Sequence, residues 1–156
     1  IDYDIDGRLV GNWFVENTNG YLGTNENMKN NEYYKTHLVF AYDGLEPSLI
    51  IISLGDYNGE SKQFAVKGNS PDPAEISISN GLVKYELVDF NYFDENNKEW
   101  NRRSFAKITK TVGYDNVHGT VLVQMIEDRK IKFEIFPDKK ASEIISFTDN
   151  AKIYER

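Results

Sequence analysis

Turn-forming pairs punctuate this chain at short intervals, and between them apolar residues alternate with polar ones instead of recurring at helical spacing. Asp43-Gly44, Asn58-Gly59 and Asn80-Gly81 supply residues that tolerate the positive φ of tight hairpins. Glu127-Asp128 separates two alternating runs so closely that they read as adjacent antiparallel strands. The runs predict strands over residues 9–16, 33–42, 48–56, 61–67, 75–79, 82–92, 103–112, 120–126, 130–136 and 143–154, with an interruption allowed in the last. A chain of this kind is all-β, an antiparallel meander of about 8–10 strands. A meander of that size must protect its edges. Closure into a barrel does so fully and is the leading expectation; a β-sandwich is the alternative.

The alternation also assigns faces. Ile131, Phe133 and Ile135 share one face and Lys130, Lys132 and Glu134 the other, which describes a sheet with one wet side. Leu49-Ile50-Ile51-Ile52 has no polar alternation, so that strand is covered on both faces. Glu86 and Val88 fall opposite Tyr85, Leu87 and Asp89. Such mixed polarity fits a strand lining a partly polar cavity and equally fits a β-bulge.

At 156 residues the chain is expected to form one domain, 1–156, with residues 1–8 a flexible lead-in. No linker, repeat or low-complexity tract divides it. Cysteine is absent, which removes disulfides, a thiol nucleophile and zinc–thiolate chemistry. A net charge of −7 repels phosphate backbones, so nucleic acid is not an expected partner. No apolar run approaches the ~20 residues that span a bilayer, and the chain is not expected to cross one by a helix. It begins at Ile1, consistent with a leader or lipid anchor having been removed. Export to a periplasmic, cell-surface or extracellular location is the expectation.

Two end segments carry a resemblance. Leu9-Val10-Gly11-Asn12-Trp13-Phe14 resembles the Gly-x-Trp first strand of the calycin superfamily, the lipocalins and intracellular fatty-acid-binding proteins. Lys152-Ile153-Tyr154 is similar to the closing strand of the fatty-acid-binding proteins, with Lys where that family usually has Arg. The resemblance implies a lipocalin-like barrel holding a small hydrophobic or amphipathic ligand. Its Trp, here Trp13, would plug the barrel floor, and a basic side chain of the last strand would pack near it or meet a ligand carboxylate. The lipocalin Thr-Asp-Tyr signature is missing, and residues 17–32 are too rich in Asn and Gly for the paired lid helices of the fatty-acid-binding proteins.

Alternation places Lys152, Tyr154 and Arg156 on one face of the last strand and Ile153 on the other. The ordinary orientation turns Ile153 inward and the cations to solvent, because charges are rarely buried without a partner. The ligand-binding orientation turns Lys152 and Tyr154 inward to anchor an acidic head, with Arg103 or Arg102 assisting.

Other constellations are less specific. Asp2-x-Asp4-x-Asp6-Gly7 begins like a calcium loop, but the twelfth position is Trp13 instead of a bidentate Glu, and an acidic solvated tail is the plainer reading. His37 reads as a strand residue and His118 as a turn residue, with no nucleophile motif beside either. Asp94, Glu95, Glu99 and Trp100 share one hairpin loop; Trp100 and Tyr92 make it a candidate surface for a glycan or protein partner. No catalytic residue is assigned, and no phosphate loop or dinucleotide fingerprint calls for a cofactor. The leading functional expectation is a non-enzymatic protein that binds a small hydrophobic or amphipathic molecule through Trp13, Lys152, Tyr154 and Arg103. The alternative is an exported carbohydrate- or protein-binding sandwich using surface aromatics.

Overall fold

In a computed structural model, residues 4–29 and 33–156 are described. Eight strands follow one another: β1 (Gly11–Val15), β2 (His37–Tyr42), β3 (Ile50–Tyr57), β4 (Glu60–Val66), β5 (Val83–Asp94), β6 (Ile108–Glu127), β7 (Lys130–Pro137) and β8 (Lys152–Glu155). Each pairs antiparallel with the next, and β8 returns to β1 through Phe14↔Glu155 and Val15↔Tyr154, so one sheet closes into a ring. The chain is thus an all-β antiparallel meander with a single sheet, not two stacked ones. The single α-helical segment among the described residues, α1 (Asn25–Lys29), is one turn long, and no helix there is long and apolar enough to cross a membrane.

Alternation explains the interior. Trp13, Leu38, Phe40, Ile52, Phe64 and Tyr85 point inward with Leu87, Val121, Met125, Ile131 and Phe133, all buried in one cluster. Rings meet across it: Phe40 lies 6.0 Å from Tyr85 and 6.3 Å from Phe133, and Tyr57 5.1 Å from Phe64. An eight-stranded ring is just wide enough for side chains to fill, and these rings occupy the middle.

Several expected strand boundaries change. Residues 75–79 form no strand; Ile76 is buried and its carbonyl accepts a bond from Leu9 N at 3.1 Å. Residues 33–36 are a 3-10 turn ahead of β2, tucked so close to β3 that a Cβ on Gly55 would stand 2.0 Å from Tyr34 O. Residues 103–107 of the run 103–112 are loop, and its remainder joins 120–126 in one strand, β6, whose internal register shifts absorb Gly113, Gly119 and the expected turn at His118.

The long β5–β6 hairpin leaves the ring at shifts between Leu87/Val88 and Val88/Phe90, so the bulge reading of β5 is the one observed. Beyond that point the hairpin lies as an arm over the outer wall. Val88 and Phe90 bury Ala65 together with Leu49 and Ile51, which covers the apolar run of β3 on both faces as expected. Gly113 permits the contact, since a Cβ there would meet Leu49 Cδ1 at 2.9 Å.

The wet face expected for β7 is only partly wet. Residues 143–151, expected in the final strand, instead run with 138–142 as a strap over the outside of β5, β6 and β7. Ala141 N donates to Glu86 Oε1 at 3.0 Å and Thr148 N to Glu134 Oε2 at 2.7 Å, leaving Glu134 buried.

Candidate functional site

The two ends of the ring differ. At one end, the lead-in from Asp4 on is bonded across the opening: Gly7 N meets Asp128 O at 3.3 Å and Val10 N meets Pro73 O at 3.1 Å. Asp4 accepts from Asn12 N at 2.6 Å, and Asp6 pairs with Arg129 at 3.2 Å; Asp2 lies outside the described residues. Trp13 closes this end. Its Nε1 donates to Leu9 O at 2.8 Å, and the Arg156 guanidinium lies 4.1 Å from its ring centroid. Arg156 exposes only 4% of its side chain and donates to the carbonyls of Val10, Ile5 and Arg8. The final strand is therefore turned opposite to the ordinary expectation. Tyr154 and Arg156 face inward, the cation held by the Trp13 ring and by three carbonyls that take its two Nη groups, while its buried Nε finds no partner.

At the other end, the β3–β4 turn faces the end of β7 and the start of β8 across a recess of about 300 Å³. Tyr57, Phe133, Ile135 and Tyr154 form its apolar floor, and Asp56 and Lys152 stand at the rim. Phe133 and Tyr154 pack edge to face at 5.4 Å, which fixes the phenol. Tyr57 is held by its hydroxyl, which donates to His118 O at 3.3 Å.

Burial first, and then the nearby Asp56 carboxylate, together push the Tyr154 hydroxyl up to about 12, so it stays protonated at neutral pH. No protein group among the described residues accepts that proton, and Tyr154 lines the recess. Lys152 Nζ sits 3.7 Å from Asp56 Oδ2, with side-chain exposures of 55% and 37%. A pair this wet is weak and readily exchanged for another carboxylate. Arrayed this way, the recess offers an apolar floor, one neutral donor and one loosely held cation.

Of the residues expected to bind ligand, the structure brings together Lys152 and Tyr154. Trp13 is at the opposite end under Arg156, so the basic side chain packed near the Trp is Arg156, not Lys152. Arg103 is exposed in the arm loop, its backbone N bonded to Asn101 Oδ1 at 2.9 Å, and does not line the recess. From sequence, Asp56 is not expected at a ligand site, Tyr57 reads only as an aromatic near a loop, and Phe133 only as a residue of the apolar face of its strand.

The arm loop is self-satisfied around its aromatics. Trp100 Nε1 donates to Ser104 O at 2.8 Å and its ring packs edge to face on Tyr92 at 6.1 Å. Asp94 Oδ1 accepts from the backbone N of Asn96 and of Lys98, both at 2.9 Å, while Glu95 pairs with Lys107 at 3.7 Å. These carboxylates shape the loop and do not face each other across a cleft. His118 lies within β6, its Nε2 2.7 Å from Asp89 Oδ2, whereas His37 packs edge to face with Phe14 at 4.8 Å and burial lowers its pKa. Compared with known proteins, the chain matches no protein-family model, no curated protein and no solved structure.

Proposed function

We propose that this chain is a binding protein for one small amphipathic acid, held at the open end of the ring. The ligand's apolar body lies on Tyr57, Phe133 and Ile135, while its head accepts the Tyr154 hydroxyl proton and draws Lys152 away from Asp56. The observation that carries this reading is the uncommitted, protonated Tyr154 hydroxyl beside a weakly paired Lys152 over an apolar floor. The interior is occupied by its own rings, so the ligand sits in the mouth and is small; a recess of about 300 Å³ lies at the low end for ligand sites. The calycin-like reading gains support from the packing of a last-strand cation, Arg156, on the Trp of Gly11-x-Trp13. The surface-aromatic alternative loses support because Trp100 spends its N–H and one ring edge within its own loop.

Calorimetric titration with octanoate tests the proposal. The intact protein binds one equivalent saturably. Lys152→Met weakens binding about tenfold, Tyr154→Phe weakens it severalfold, and Trp100→Ala leaves it unchanged. Equal affinity in the intact protein, Lys152→Met and Tyr154→Phe contradicts the assignment.

A further inference from the structure

A second recess opens where the wall of the ring is incomplete. β4 joins β5 only through Ala65 and Val66, because β5 shifts register and departs with the arm. Residues 61–63 of β4 therefore meet no strand on that side among the described residues. The slot left between them has a volume of about 480 Å³. Ser53, Ser61, Lys62 and Gln63 line one side, and Asp89 and Arg102 the other.

Two cations converge on this slot in a chain of net charge −7. Neither Lys62 nor Arg102 is in an ion pair among the described residues. Each is held in place by rings: Lys62 Nζ lies 5.4 Å from Tyr57 and 5.5 Å from Phe64, and the Arg102 guanidinium 5.5 Å from Phe90 and 5.4 Å from Tyr92. Arg102 reaches its position from a left-handed backbone, φ 62°, which a side chain rarely adopts without compensation. Asp89 lines the same slot and its charge is felt by Lys62, but its Oδ2 is held by His118 and Asn116, both at 2.7 Å, and it forms no close ion pair with either cation. The hydroxyls of Ser53 and Ser61 and the amide of Gln63 form no bond among the described residues. The slot adjoins a shallower recess that shares Asp89, Phe90 and Arg102 and adds the exposed Tyr114 ring.

We infer that this slot is a binding site for a short anionic saccharide, whose carboxylate or sulfate sits between Lys62 and Arg102. Its hydroxyls exchange hydrogen bonds with Ser53, Ser61 and Gln63. An added peptide strand fits less well: the slot has no apolar pockets for alternate side chains, and a Lys in the middle of an edge is a device that discourages strand addition. The site is separate from the octanoate recess, so either stands or falls alone.

Calorimetry with trigalacturonate, a chondroitin sulfate disaccharide, neutral cellotriose and tetraglutamate decides the matter. At least one of the two anionic saccharides binds saturably, and which one does so distinguishes carboxylate from sulfate. Cellotriose binds far more weakly. Lys62→Gln and Arg102→Gln each lower the affinity about tenfold, Arg102→Gln without any change in octanoate binding or melting temperature. Absence of binding by both anionic saccharides, affinity unchanged in both variants, or tetraglutamate binding as tightly as the saccharides overturns the inference.

Discussion

Arg156 shows how one buried cation organises an end of the ring. Its guanidinium covers the Trp13 face and bonds three carbonyls of the lead-in, with Asp4 Oδ1 3.8 Å from Nη1. Removing it leaves buried acceptors unpaired and a ring face uncovered. Arg156→Met is therefore expected to cost about 3 kcal/mol in urea unfolding, while Arg156→Lys, which keeps charge but not the fork, recovers only part of it. Loss of less than a few tenths of a kcal/mol contradicts this account. Tyr154 makes a second prediction. Its pKa of about 12 when folded exceeds the ordinary value near 10, so the folded state holds the proton more tightly and stability falls as pH rises between those values. The loss is on the order of 2–3 kcal/mol, and Tyr154→Phe removes that part of the slope when melting temperature is followed against pH. A variant as alkali-sensitive as the intact protein places the effect elsewhere. These two residues also mark where sequence reasoning stopped. Alternation paired Tyr154 with Lys152 and Arg156 on one face, but charge argued for turning that face outward. Carbonyls brought to Arg156 from residues 5–10 reverse the balance, and nothing local to the last strand announces them.

At the scale of elements, the arm and the strap convert an ordinary outer wall into a second packed layer. The arm is fastened by Asp43, buried at 6% exposure, whose Oδ1 accepts from Leu45 N and Glu46 N at 2.9 Å and from Thr111 Oγ1 at 2.7 Å. Asp43→Ala removes both the turn and the tether. Amide exchange over residues 90–94 and 108–112 is expected to quicken about tenfold, with the inward strands β2 and β7 unaffected. Uniform quickening across the ring shows instead that the arm does not open by itself. The β3–β4 hairpin was legible because Asn58 and Gly59 both take the left-handed conformation a tight turn needs, whereas Asn80-Gly81 closes a 3-10 turn and Asp43-Gly44 opens a longer loop; the doubly covered Leu49–Ile52 run announced an outer layer without saying what formed it. The arm itself was hidden. His118 read as a turn residue, whereas it lies inside β6 between the closely packed Gly113 and Gly119, and residues 143–151 alternate enough to imitate a strand while running as a strap.

For the whole molecule, closure of the meander sets what is available for binding. The interior is filled by its own rings, and the two proposed sites lie where strand pairing stops: at the mouth between β3–β4 and β7–β8, and at the gap between β4 and β5. Both sites depend on which strand ends meet after closure. That explains why Lys152 and Tyr154 could be nominated from the last strand while Asp56 and Tyr57, far away in sequence, could not. The most direct test of the proposed mouth site is a 1H–15N NMR titration with octanoate. Saturable shifts concentrated at Tyr57, Phe133, Lys152 and Tyr154 and their sheet neighbours are expected, with the arm and the Trp13 end still. Shifts centred on Trp13 or Trp100, or none at saturating octanoate, contradict the mouth site.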